Sequence, residues 1–340
     1  MNITWMIGNG FDIRAGLKTS YSDFYHSDYV QKSRDNCIYA SINEDTKSWA
    51  DFERGLGEYS KSINEESMEG FLESVAACNE DFTKYLSEEE KYYPSPDDNQ
   101  IKQFNKTLTH FQNSLLPDDA NDYMAILEVY RRNRVNLMMR NSFIVFNYTN
   151  ICARYWDKII SGATKIGALD AVVGKSELCN IHGTLEKGIM LGCDNSAQYN
   201  ATLLNEKKHY IDKPAMNSLS RSGNTAMAER IIASTNIFCI YGMSVGDTDL
   251  RWWNIVAKRT LENTYHRIVI FCYKPDFDKT NIPRAIDRIE TAKDHFISKT
   301  RGLNSEQKNT LRKRILVTYD IDDIFCIAHN PDIYTPLSSV

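Results

Sequence analysis

The sequence predicts an α/β protein: a mostly parallel sheet with helices on both faces, interrupted by a helical insertion. Three observations lead there. Short apolar runs recur with little polar alternation, as strands covered on both faces require. Amphipathic helical patterns separate several of these runs, and strands alternating with helices imply a parallel sheet. From about residue 49 to 140 the texture changes to long stretches of helical spacing with few β-branched runs.

Taken along the chain, Asn2–Ile7 reads as a buried strand ended by Gly8. The region that follows residue 45 is broken by "YYPSPDDNQ" and "LLPDDANDY", so it divides into about four helices. Strand signals return in "SFIVFNYT" (142–149), "ELCNIHG" (177–183), "GIMLGC" (188–193), "NIFCIYG" (236–242), "RIVIFCY" (267–273) and "RILVTY" (314–319). The helical patterns "GNTAMAERIIAST", "DLRWWNIVAKRTLEN" and "PRAIDRIETAKDHFISK" lie between them. The expected organisation is one domain over residues 1–340, with its core in 1–45 and 140–330 and the insertion in 46–139. Within the insertion, Trp49 and Glu53 are spaced to share one helix face.

Bulk properties remove several function classes. The chain of 340 residues is 42% hydrophobic and 25% charged, ordinary for a folded protein. Its net charge of −5 argues against a non-specific nucleic-acid footprint. The basic clusters "RRNR" (131–134) and "RKR" (312–314) read as solvated helix faces. The eight cysteines form no C-x-x-C pair, and several sit in apolar runs. They are expected to be buried thiols of a cytoplasmic protein, with no disulfide frame and no zinc site. No run approaches the ~20 apolar residues of a bilayer span, so no membrane partner is expected.

Ligands of open parallel sheets bind beyond the carboxyl ends of the strands. The polar residues just after each apolar run are therefore the candidates. "GNGFDIRAG" (8–16) follows the first strand; its glycines allow a tight turn and a close backbone approach, with phosphate as one partner. The third glycine of the dinucleotide fingerprint is absent, since Ile13 holds that place, and a turn without ligand reads equally well. Asp12 suits either a helix cap or a ribose contact. Asn147 either closes a turn or holds a water or sugar hydroxyl. His182, beside Gly183, is either a core residue or a general base. "GMSVG" (242–246) formally matches a nucleophile elbow at Ser244, with Asp276 and His295 or His329 in the order a hydrolase needs. Asp247 and Asp249 hint at a metal, but a helix N-cap accounts better for Asp247.

As a set, "IGNGFDIRAGLKTSYSDF", "WADFE", "FNYT", "IHG", "LGCD" and "YGMSVGDTDL" resemble the motif series of the bacterial AbiH abortive-infection proteins. That resemblance implies a role in limiting bacteriophage propagation, under an unidentified phage-derived trigger. The same motifs are more distantly similar to the sirtuin pocket, which implies a Rossmann-type, sirtuin-like fold. The glycine loop (Gly8, Asn9, Gly10, Phe11, Asp12) and the pair Asp23 and Phe24 would then contact NAD. So would Gly242, Ser244 and Asp247, while Asn147 and His182 would be catalytic. Thr149 stands where sirtuins carry aspartate, Tyr25 replaces an arginine, and the zinc-binding cysteine pairs are missing. The resemblance therefore points away from protein deacylation and toward the sirtuin-like defence proteins that cleave NAD itself. It implies NAD or a related adenine nucleotide as substrate and no metal. It leaves open a sensor that binds without cleaving, a serine hydrolase on Ser244, and assembly as a homo-oligomer.

Overall fold

Runs that are apolar on both sides become strands with both faces buried. In the computed structural model, residues 1–33, 35–132, 139–161, 176–274, 277–278 and 280–328 are described. The strands are β1 (Asn2–Ile7), β2 (Arg140–Val145), β3 (Leu178–Asn180), β4 (Gly183–Thr184), β5 (Gly188–Ile189), β6 (Ile237–Tyr241), β7 (Arg267–Phe271) and β8 (Ile315–Thr318). Along β1, Ile3, Trp5 and Ile7 face a core that contains Phe104, Phe111 and Tyr155. Met6 faces the opposite core, with Phe238, Trp253 and Leu311. Both faces are dry, which is why the sequence shows no alternation.

Among the described residues, six strands form one sheet in the order β3-β2-β1-β6-β7-β8, every neighbouring pair parallel. Counted among themselves, these strands have the 3-2-1-4-5-6 order of a dinucleotide-binding Rossmann sheet. The order reverses between β1 and β6. Residues 188–193, expected as a full strand, are not part of this sheet: only Gly188–Ile189 is extended, paired antiparallel to β4. Positive φ at Gly183 (82°), Gly188 (93°) and Gly192 (156°) bends the chain away.

Segment 46–139 carries the α-helices Phe52–Ser60, Glu65–Lys91, Asp98–His110 and Pro117–Arg132. They divide between two cores. The last two cover one sheet face through Phe104, Leu108, Tyr123 and Ile126. The first two pack with Phe24, Tyr39, Leu191 and Tyr199 in a third cluster. Trp49 and Glu53 do not share a helix. Trp49 ends a 3-10 turn, Thr46–Trp49, and the Asp51 side chain then caps a new helix by accepting from Arg54 N. That restart turns Glu53 toward the sheet and leaves Trp49 against Gly55.

In the basic cluster 312–314, two arginines are engaged by other elements. Arg312 pairs with Glu290 and Asp294, and Arg314 donates to the carbonyls of Thr260 and Asn263. Arg134 lies outside the described residues. The eight cysteines are all free thiols, five of them buried. Among the described residues, no helix is long and apolar enough to cross a membrane.

Candidate functional site

The glycine turn after β1 makes its close approach to the turn after β6. A Cβ on Gly10 would lie 2.5 Å from Gly242 Cα, and one on Gly8 would lie 2.5 Å from Gly242 O. Gly8 N donates to Tyr241 O (2.9 Å), Gly10 N to Gly242 O (2.9 Å) and Phe11 N to Gly8 O (3.0 Å). Of the three glycines in contact here, Gly8, Gly10 and Gly242, Gly242 has the positive φ, at 67°. Asn9 pins the outgoing chain: its Nδ2 donates to Thr19 O (2.9 Å) and its Oδ1 accepts from Thr19 Oγ1 (2.7 Å). The glycines thus let two strand ends touch at the reversal point of the sheet, and three of the turn's N–H groups already have protein acceptors.

Beyond these ends opens a cavity of about 1030 Å³. Its lining follows the carboxyl ends of the strands: Gly8, Asn9 and Gly10 after β1, Asn147 after β2, His182 after β3, and Gly242 and Ser244 after β6. Cys272 and Tyr319 continue it beyond β7 and β8. Segment 46–139 supplies a wall through Asp51, Glu53, Phe82 and Leu86. Asp12 also lines it.

Four predicted contact residues stand elsewhere. Phe11 is a core residue, edge-on to Phe104 and Phe325. Asp23 closes a capping box with Ser20. Phe24 packs against Phe82 and Tyr85. Asp247 pairs with Lys299 at 2.7 Å. Nor is Asp247 the cap of the next helix. A 3-10 turn, Asp247–Asp249, precedes helix Leu250–Leu261, and Arg251 N is met by the distant Asp194 Oδ2 at 2.9 Å.

Among the buried polar side chains that line the cavity are Asp12, Asn147 and His182. Asp12 is buried and accepts from Thr149 Oγ1 at 2.7 Å through Oδ2. Burial pushes its carboxyl up to about 7, against the opposing effects of Thr149 and the nearby Asn147 amide. Asp12 Oδ1, Asn147 Oδ1 and Nδ2, and His182 Nδ1 are buried and make no hydrogen bond of normal geometry among the described residues, although the Asn147 amide lies close enough to Asp12 to favour its ionised form. Unpartnered buried polar atoms are costly and mark a place where a ligand or water completes the site.

Behind His182 lies a buried charged chain. His182 Nε2 meets Asp249 Oδ1 at 2.8 Å, and Lys213 Nζ meets Glu53 Oε2 at 2.8 Å and Asp249 Oδ1 at 3.4 Å. Burial alone would raise Asp249, but Lys213 and His182 more than offset it and hold the carboxyl well below the usual range. Burial raises Glu53, with Lys213 opposing. The ring of His182 is also edge-on to Phe146, with centroids 5.4 Å apart. Sequence reasoning missed Lys213 and the parts played by Glu53 and Asp249. Lys213 gives no local signal, because its acidic partner Glu53 is 160 residues away.

Among the described residues, Ser244 and His295 do not form the nucleophile–base pair of a hydrolase. His295 Nε2 contacts the carbonyl oxygen of Ser244 at 2.9 Å, not its hydroxyl. The strained residue of the turn is Val245 (φ 54°), not the serine. Asp276 and His329 lie outside the described residues. Among the described residues, no group of three or more His, Cys, Asp or Glu side chains could hold a metal ion. Cys179 and Cys193, which flank His182 in sequence, contact backbone carbonyls of Asn224 and Glu53.

Fold and site together define a Rossmann-type α/β protein with a cluster of unpartnered polar atoms at the reversal point of its sheet. A model of the family described as bacteriophage abortive infection AbiH matches residues 4–271. The chain belongs to the AbiH family. The match runs from β1 through β7 and so includes every cluster residue named above. No curated protein matches the chain.

Proposed function

We propose that this AbiH chain is an antiphage abortive-infection effector that hydrolyses NAD+ at the nicotinamide–ribose bond. The observation that carries the reading is the set of buried, unpartnered atoms on Asn147 and His182 in a large cavity at the sheet's reversal point. Dinucleotides bind there in sheets of this order. The cavity is large enough for a dinucleotide, and an amide with both donor and acceptor suits a ribose or a water. Arg14 and Lys274 line the cavity, where they would offer positive charge to a diphosphate; Arg14 also donates to Asp322 O.

The chemistry asks little of the protein. A water oxygen bonds to the ribose anomeric carbon as the carbon–nitrogen bond breaks. That electron pair moves onto the pyridinium nitrogen, so nicotinamide leaves neutral and needs no acid. Asn147 orients the water or ribose, and His182 Nδ1 takes the water's proton and releases it to solvent. The products are ADP-ribose, nicotinamide and a proton. Loss of the NAD+ pool after infection would stop phage production along with the host.

The test measures NAD+ and nicotinamide in phage-infected cells that express the chain. Wild type should deplete NAD+ after infection. His182→Ala and Asn147→Ala should lower the rate about 10²–10⁴-fold. Ser244→Ala should only weaken binding, by about 1 kcal/mol for one hydrogen bond. Full protection by His182→Ala at normal expression, or loss confined to Ser244→Ala, would remove this mechanism.

A further inference from the structure

We propose that Asp249 and Lys213 are positioning residues that hold His182 in the tautomer protonated on Nε2, leaving Nδ1 as the proton-accepting atom in the cavity. The catalytic consequence rests on the NAD+-cleaving reading; the tautomer itself does not.

Geometry selects the tautomer. Asp249 Oδ1 is 2.8 Å from His182 Nε2. An ionised carboxylate only accepts, so the ring nitrogen facing it carries the proton. In a neutral ring the other nitrogen is then bare. That atom, Nδ1, is the one buried without a partner, on a residue that lines the cavity.

Lys213 keeps Asp249 able to play this part. A buried carboxylate without a cation takes up a proton, and a protonated acid could donate to Nε2 and reverse the tautomer. Lys213 cannot swing away. Its three donors are met by Glu53 Oε2 (2.8 Å), Thr248 O (3.2 Å) and Asp249 Oδ1 (3.4 Å). Glu53 is fixed in turn, because its Oε1 accepts from Tyr148 OH (3.3 Å) and Gly192 N (3.2 Å). The chain Glu53–Lys213–Asp249–His182 therefore has one open end, and that end is the atom a base needs. It also ties the base to the helix Phe52–Ser60, which carries Glu53.

The tautomer can be read on nucleotide-free protein labelled with 15N-histidine, by long-range proton–nitrogen correlation. The His182 signals are identified by their loss in His182→Gln. Wild type should show the pattern protonated on Nε2. Asp249→Leu, which removes the acceptor and keeps the same branched shape, should mix the two tautomers and lower nicotinamide release about 10²–10⁴-fold. A wild-type ring protonated on Nδ1 would overturn the proposal, as would an unchanged pattern in a folded Asp249→Leu protein. If that variant does not fold, the wild-type pattern alone decides. An Nε2-protonated ring in a protein that leaves cellular NAD+ intact during infection would keep the positioning and discard the enzyme. NAD+ cleavage by a protein with the opposite tautomer would do the reverse.

Discussion

At the scale of single residues, the position that changes meaning most is Gly10. A glycine pair behind a first strand suggests backbone approaching phosphate, but here the backbone it approaches is the protein's own. A methyl on Gly10 would fall 2.5 Å from Gly242 Cα, and neither side is a flexible side-chain end. Gly10→Ala should therefore destabilise the fold by about 1–3 kcal/mol, the usual cost of overpacking. A lowered denaturant midpoint checks this, whereas unchanged stability with lost nucleotide binding would restore the phosphate cradle. Asp12 offers a second test. Its ordinary value of 3.8 rises to about 7 in the fold, so the folded chain keeps a proton that the unfolded chain releases. Stability from this group is complete below pH ~4 and lost as pH rises through about 7. Asp12→Asn keeps an acceptor for Thr149 and removes the titration. It should gain on wild type by on the order of 2–4 kcal/mol at pH 8 and by little at pH 4. Parallel pH–stability curves for the two proteins would show that Asp12 does not titrate in this window.

At the scale of elements, boundaries come from caps, and the caps repeat a few local patterns. Helices Glu65–Lys91, Asp98–His110 and Ser305–Lys313 all open with capping boxes, in which the cap and third residues satisfy each other's backbone N–H. Such signals lie within four residues and can be read directly. Asp97→Ala should cost about 1 kcal/mol, since it leaves Gln100 N without its 2.8 Å acceptor at the head of a helix that carries Phe104 into the core. A shift of the urea midpoint at constant slope is the measure, and no shift would mean the helix is held by packing alone. Helix Leu250–Leu261 shows the opposite case. Its first turn is met by Asp194, 57 residues earlier, so local reading turned to Asp247 instead.

At the scale of the whole molecule, the cavity and the third core belong together. Helices Phe52–Ser60 and Glu65–Lys91 pack with residues 189–211 and reach the site through Glu53 and Phe82. A ligand that bridges this wall and the sheet should stabilise the native state by mass action, about 2.7 kcal/mol at a hundredfold excess over Kd. NAD+ should therefore raise the melting temperature of His182→Ala, which keeps the cavity and lacks the proposed base. The same rise in wild type, with NAD+ intact during infection, would mark a sensor in place of an enzyme. No rise in either protein would exclude NAD+ as the ligand.

What the sequence determined by itself was whatever depends on neighbours along the chain. Two dry faces write an unbroken apolar run, so all six strands of the sheet were visible: Asn2–Ile7 at its observed bounds, and the other five with their carboxyl ends overrun by one or more residues. Residues that follow such runs must stand at the edge of the sheet, which placed Asn147, His182 and Gly242 at the cavity. Tertiary structure alone decided the rest. The strand order, the contact of Gly10 with Gly242, and the pairing of Lys213 with Glu53 and Asp249 join segments tens to more than two hundred residues apart. A buried lysine is stable only because two carboxylates from other elements meet it. Nothing beside Lys213 in the sequence carries that fact, because the energy that holds it there is made only when the chain has folded.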